Sequence, residues 1–341
     1  MVETIAAGGR GTPCTMRLFD ATSMAPIWIG LLISASFMAG LGLLALAFGW
    51  TWVAVMLPVD VLVSLVVGFL PVVTAYGLRG AVRDLHDLRP ALDLRDADFA
   101  QWVDGIGRFP GVGLPIVSLG ALVVGALLPV SEGFWHTPPP LDHPLRWWVT
   151  FRTMAMAWLL ARTIFIEIVV ALRFMRLGRD HAKVDLLDLA PLRPFALHGL
   201  RSVLFLMSFL ALFSVNFLIG AGGQETYGLT GIAVVVFALA SLALPTLGVQ
   251  QRIHARKREE VQRVDGAIRR ESEARLEPAG EWQDAHARLS DLVVYRGMLQ
   301  SLHTWPIDVS TLLRFGLYLV VGLGSWLGAA FVERLVGLVF D

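Results

Sequence analysis

Residues 147–172 read WWVTFRTMAMAWLLARTIFIEIVVAL, a run long and apolar enough to cross a bilayer that nevertheless carries Arg152, Arg162 and Glu167. About 20 helical residues, rising ~1.5 Å each, span a hydrocarbon core of roughly 30 Å. Trp147 and Trp148 read as an interfacial aromatic belt at one end, and Arg173, Arg176 and Arg179 mark the other. Turning about 100° per residue from Arg152 places Thr163 near +20°, Glu167 near +60° and Arg162 near −80°. The opposite side, with Met154, Ala157, Ala161, Phe165, Ile168 and Leu172, reads as a lipid face.

A charge inside a span costs roughly 2.5–3.5 kcal/mol on insertion scales, so it normally meets protein or water. Arg152 sits near enough to one end to snorkel toward headgroups, and Glu167 near enough to the other to sit at the inner interface. Arg162 lies near mid-span, where it implies either a structural ion pair or a solute pathway. Asp60 is the one acid near the middle of any other span, and Asn216 is the nearest further polar residue. The expected contact is therefore Asp60 with Arg162, with Asn216 nearby.

The rest of the chain has the same membrane character. Of 341 residues, 55% are hydrophobic and only 16% charged, and the mean hydropathy is +0.64. These values exclude an ordinary soluble globule and a disordered chain. Lys plus Arg equals Asp plus Glu at 28 each, so no global basic field for nucleic acid exists. The lone Cys14 permits neither a disulfide framework nor a cysteine metal cluster. The apolar run from Pro26 is too long for the core of a cleaved signal and reads as a retained first span.

The hydropathy pattern predicts an all-α, polytopic protein with about seven spans: 26–49, 52–76, 111–130, 147–172, 202–220, 229–249 and 311–332. The divisions expected are a cytoplasmic tail (1–25), a six-span bundle (26–249), a cytoplasmic antiparallel helical hairpin (250–304), and a seventh span with the C-terminus (305–341). Within the bundle lie two cytoplasmic amphipathic loops, 77–110 and 173–201: in the first, span 2 is expected to run on as an amphipathic helix to Arg89-Pro90, and the second reads as a broken helix resting on the membrane surface. Asp96 is expected to cap a short helix over 97–106. Two charged helical runs around Glu277-Pro278-Ala279-Gly280 form the hairpin, with seams at Val261, Val264 and Ile268 and at Leu289, Leu292, Val293, Leu299 and Leu302. Leu70-Pro71 followed by Arg79, and Leu244-Pro245 followed by Arg252, form a faint internal repeat consistent with three two-span hairpins and a final span.

Orientation follows from the cations. The tail and the segments 77–110, 173–201 and 250–304 hold 23 of the 28 Lys and Arg residues, whereas the opposite loops hold only Arg146. The positive-inside rule then puts the N-terminus in the cytoplasm, as in a bacterial-type inner membrane protein, and the C-terminus outside.

No chemistry-bearing motif is present: no phosphate-binding glycine loop before a lysine, no HExxH and no GxSxG. Asp84, Asp87, Asp93, Asp96 and Asp98 with His86 match no ligand spacing and read as a solvated face. His136, Asp142 and His143 lie in a proline-rich loop without ligand spacing. Metal sites and catalytic residues are therefore not expected, and no cofactor is indicated. Gly324 and Gly328 permit close helix approach, within one chain or in a homo-oligomer through the last span. The lipid bilayer is the sure partner, and a cytoplasmic protein on 250–304 is a further one. The function these features suggest is a channel or secondary transporter with a polar site near mid-membrane. The alternative is a non-enzymatic signalling or assembly protein acting through the hairpin.

Overall fold

The structure, a computed structural model, describes residues 19, 22, 24–49, 51–109, 111–131, 144–215, 224–274, 282–302 and 309–340. Most of the N-terminal tail including Cys14, the loop with His136, Asp142 and His143, Asn216, the break at Glu277–Gly280, and Trp305-Pro306 lie outside the described residues.

The described chain is all-helical: α1 (Pro26–Phe48), α2 (Thr51–Leu88), α3 (Asp96–Ile106), α4 (Gly113–Ser131), α5 (Pro144–His181), α6 (Arg193–Phe213), α7 (Gln224–Ala274), α8 (Trp282–Ser301) and α9 (Val309–Phe340). Four helical stretches are long and apolar enough to cross a membrane: Pro26–Phe48, Leu57–Ala91, Arg146–His181 and Ala190–Phe213. Gly113–Leu127 and Ser310–Ser325 are shorter apolar helices. These long apolar helices mark a membrane protein.

α1 starts at Pro26, whose fixed φ suits the first helical position, and stops at Gly49, which takes φ 98° while its N–H reaches Ala45 O. α2 runs through Pro58 and Pro71 without ending. Neighbouring helices cover the backbone groups that such prolines free.

Sequence-adjacent helices pair as α1–α2, α4–α5 and α6–α7. The first pair crosses at Gly30 and Gly68, where a Cβ on Gly30 would stand 2.8 Å from Gly68 O, and Ser34 Oγ donates to Ser64 O at 2.9 Å. The second crosses at Gly125, where a Cβ would meet Met154 Cα at 2.6 Å. Small residues let helix backbones approach where lipid supplies no hydrophobic drive between helices. α2, α5 and α6 pack together at the centre, α7 lies on α5 and α6, and α9 lies on α6.

The core has two parts. One gathers Phe37, Leu41, Val63, Val66, Leu70, Trp148, Leu159, Met207 and Leu210. The other gathers Leu78, Leu85, Leu88, Leu92, Ile106, Phe174, Leu177, Leu192, Phe195 and Val249. Around the first, large apolar side chains are exposed: Leu43 and Leu46 on α1, Ile116, Leu119 and Leu127 on α4, and Leu313 and Val320 on α9. Such a surface needs lipid.

Several expectations are corrected here. The apolar residues of segments 77–110 and 173–201 face the protein interior: Leu85, Leu88, Leu92, Leu192 and Phe195 are fully buried in the second core, while α2 runs on to Leu88, as expected of span 2, and α5 to His181. Their ends are clipped together at Leu92 and Ala182, with Asp93 N donating to His181 O and Lys183 N to Ala91 O, both at 2.8 Å. α6 begins at Arg193, not near 202, because Pro194 suits its first turn and Phe195 and Leu200 bury at once. Asp96 is the first residue of α3, not its cap; Arg95 precedes it in extended backbone. The expected lipid face of α5 is covered by α4, with Gly125 on Met154 and Gly113 on Phe165.

α7 and α8 touch through Arg296 Nε on Asp265 Oδ1 (2.6 Å) and through Lys257 Nζ on the carbonyls of Gln300 and Leu302 (2.8 and 2.9 Å). Val264 and Leu299 are buried there, but Val293, expected in the seam, is 52% exposed.

Candidate functional site

The polar residues of the spans form a column along α2, α5 and α6. At one end, Arg152 Nη1 on α5 donates to Asp60 Oδ1 on α2 at 2.7 Å, and Trp148 Nε1 donates to the same oxygen at 3.0 Å. The Asp60 and Arg152 side chains are 0% and 4% exposed. Phe37 and Phe151 pack around the Trp148 ring, with centroids 5.0 and 5.9 Å away. Arg152 is thus buried and paired, not snorkelling, and Trp148 is a core residue, not part of a surface belt. Among the described residues, the buried Asp60 Oδ2 has no hydrogen-bond partner.

Further along, Thr74 and Thr163 share a hydrogen bond of 3.0 Å. Below them Ser202 Oγ on α6 donates to Glu167 Oε2 on α5 at 2.8 Å. Gly77 on α2 faces that carboxylate, since a Cβ there would stand 2.6 Å from Glu167 Oε1. The column ends at Asp84, where Arg201 Nη1 and Nη2 donate to the two carboxylate oxygens at 2.7 and 2.9 Å. This forked geometry is the strongest form of a charged hydrogen bond. His198 Nδ1 lies 3.3 Å from Asp84 Oδ2, its ring stacks on Phe174 at 4.1 Å, and its Nε2 is buried without a hydrogen-bond partner among the described residues.

The contacts fix chain directions. Along α2 the order 60, 74, 77, 84 meets 152, 163 and 167 on α5 in the same order, then 202 and 201 on α6 in reverse. α2 and α5 therefore run parallel, and α6 runs against them.

The predicted contact between Asp60 and Arg162 does not occur: the structure gives Asp60 to Arg152. Ten residues separate the two arginines, about 15 Å along the helix. They also point about 80° apart around it. Arg162 turns to α4, where Nη1 donates to Ser118 Oγ at 3.1 Å, and its guanidinium lies 4.9 Å from the Trp158 ring centroid. Glu167 turns to α6. An added Cβ on Gly324 or Gly328 would meet nothing within 4 Å among the described residues.

Asp84, read from sequence as part of a solvated face, is 3% exposed. The signal that marks it is Gly77, Gly80 and Asp84 at helical spacing, two small residues above an acid. Gly80 makes the room that Arg201 occupies. The other acids of that segment keep to the surface, Asp96 with Arg89 and Asp98 with Arg95. Among the described residues, no three His, Cys, Asp or Glu side chains converge as metal ligands.

Three clefts are lined by described residues. One of about 630 Å³ lies between α3 and α5, one of about 560 Å³ between α1 and α5, and one of about 260 Å³ beside Lys183 and Arg256. None of the three is lined by Asp60, Arg152, Arg162 or Glu167. Comparison with protein-family models, with curated proteins and with solved structures gave no match for this chain.

Proposed function

We propose that this chain is a seven-span inner membrane protein, N-terminus in the cytoplasm, that works without catalysis as a signalling or assembly protein. Its working part is the cytoplasmic pair of helices formed by the end of α7 and by α8. The observation that carries this reading is the exposure of Val293, Val294 and Met298, at 52%, 68% and 45%, on an arm otherwise rich in charge. An exposed apolar group on a water-facing helix suits a partner helix of a cytoplasmic protein. The polar column supports it from the other side: the buried pairs Asp60–Arg152 and Asp84–Arg201 hold helices in register, and none of the three clefts among the described residues is lined by them. Self-association through Gly324 and Gly328 of α9 is compatible with this reading.

The second reading is a channel or secondary transporter, favoured by the buried Asp60 Oδ2 without a hydrogen-bond partner among the described residues. A photo-crosslinking residue at Val294 in the full chain separates the two. Signalling or assembly requires a discrete adduct in cells that disappears with Met298→Asp. No adduct, together with an ion or proton leak in proteoliposomes that Asp60→Asn abolishes, would replace it with transport. Reporters at Asp142 and Gly280 should report opposite compartments.

A further inference from the structure

The cleft between α3 and α5 is cationic. Trp102, Arg108, Arg173, Arg176 and His181 line it, together with Asp98, which Arg95 Nε already engages at 3.1 Å. Arg173 is a fixed part of its wall. Nη1 donates to Gly105 O and Ile106 O at 2.6 and 2.9 Å, Nη2 donates to Arg108 O at 2.7 Å, and the guanidinium lies 5.0 Å from the Phe109 ring centroid. It thereby adds a charged donor to carbonyls at and just beyond the end of α3, where the helix's own N–H groups run out. Arg176, one turn on, is exposed, has no hydrogen-bond or ion-pair partner among the described residues, and repels Arg173. Arg108 has one long contact, to Asp104 at 3.5 Å. Arg108 and Arg176 thus both line the cleft, and Arg176 adds its positive charge to that of Arg173, an excess that a bound anion would offset.

The surroundings say which kind of anion. Val112, four residues beyond Arg108, leads into α4, whose Ile116, Leu119 and Val123 continue one exposed face, the four being exposed by 71%, 63%, 65% and 52%. Trp102, edge-on to His181 at 6.2 Å, is the amphipathic ring favoured at a headgroup level. We infer that the cleft holds the phosphate headgroup of an anionic phospholipid, between Arg108 and Arg176, with its acyl chains along that face of α4. A soluble phosphate would use the cations but not the apolar face; basic pockets at the cytoplasmic ends of spans are known binders of lipid headgroups. The inference rests on the membrane location and not on the partner proposed for α8.

The test is native mass spectrometry of the full chain released from detergent, titrated with phosphatidylglycerol and, separately, phosphatidylcholine. The wild type should retain phosphatidylglycerol preferentially. At about fivefold per arginine near a membrane surface, Arg108→Gln with Arg176→Gln should weaken that retention roughly 25-fold. Both side chains are at the surface, and the single Arg176→Gln variant should show about a fivefold loss if the double variant fails to fold. Arg252→Gln, on α7, should change nothing. Unaltered phosphatidylglycerol retention by the arginine variants would overturn the proposal. So would competition by glycerol phosphate or inorganic phosphate at concentrations equal to the lipid, which would make this a soluble-phosphate site. A missing crosslink at Val294 would leave this result standing.

Discussion

The two ends of the bundle face different surroundings, although α2 and α5 run through both and each end buries a carboxylate paired with an arginine, Asp60 with Arg152 and Asp84 with Arg201. Around Asp60, Leu43, Leu46, Leu119 and Val320 face outward, and the buried interior contains an ion pair. Around Leu88, Arg83, His86 and Asp87 face outward, and Leu85, Leu92, Phe174 and Phe195 fill the interior. α2 has 38 residues, about 57 Å of helix. That is nearly twice a hydrocarbon core. The outer face of a single helix thus passes from apolar to charged along its length, while its inner face stays buried from Asp60 to Leu88. The difference also ranks its interactions, since a pair without water at hand has no alternative partner, whereas one near the polar surface does.

The largest effect is expected at the apolar end. Arg152→Leu leaves the Asp60 carboxylate buried beside Trp148 and should cost about 3–5 kcal/mol, whereas Asp60→Leu with Arg152→Met should recover most of it. Denaturant unfolding in mixed micelles measures both. Equal stability of Arg152→Leu and wild type would remove the contrast between the two ends.

A smaller loss is expected at the Asp84 end, where the Arg201 side chain is 27% exposed. Arg201→Gln should cost about 1.5–3 kcal/mol, the range for hydrogen bonds to charged groups. A cost above that of Arg152→Leu would invert the ranking. Least of all should come from Arg89→Ala, which breaks the pair with Asp96, whose side chain is 96% exposed. About 0–1 kcal/mol is expected, decreasing further in high salt.

Much of the fold was legible because apolar runs of bilayer length leave few alternatives. The helical wheel of residues 147–172 also held the partners of α5: Arg152 and Thr163 share a direction and meet α2, Glu167 lies to one side and meets α6, and Arg162 lies to the other and meets α4. Depth along the span does not pair Asp60 with Arg162, because Arg152 and Arg162 point about 80° apart on α5 and residues so placed rarely share a neighbour. The Asp84 cluster was harder to see. Its segment has the composition of a surface, and only the facing α6, starting nine residues before its expected position, turns that surface into an interior. The exposed Val293 was misread because a seam drawn on one helix does not fix how its partner is rotated.

The parallel course of α2 and α5 has a consequence for biosynthesis. Arg152 lies 92 residues after Asp60. At roughly 5–20 residues per second, the ribosome needs about 5–18 s to bridge that interval. During it α2 exists without the arginine that its carboxylate pairs with in the finished bundle. A lone aspartate at mid-helix opposes insertion by roughly 2.5–3.5 kcal/mol. The valines and leucines on either side of Asp60 are what keep the nascent helix in the membrane until α5 arrives.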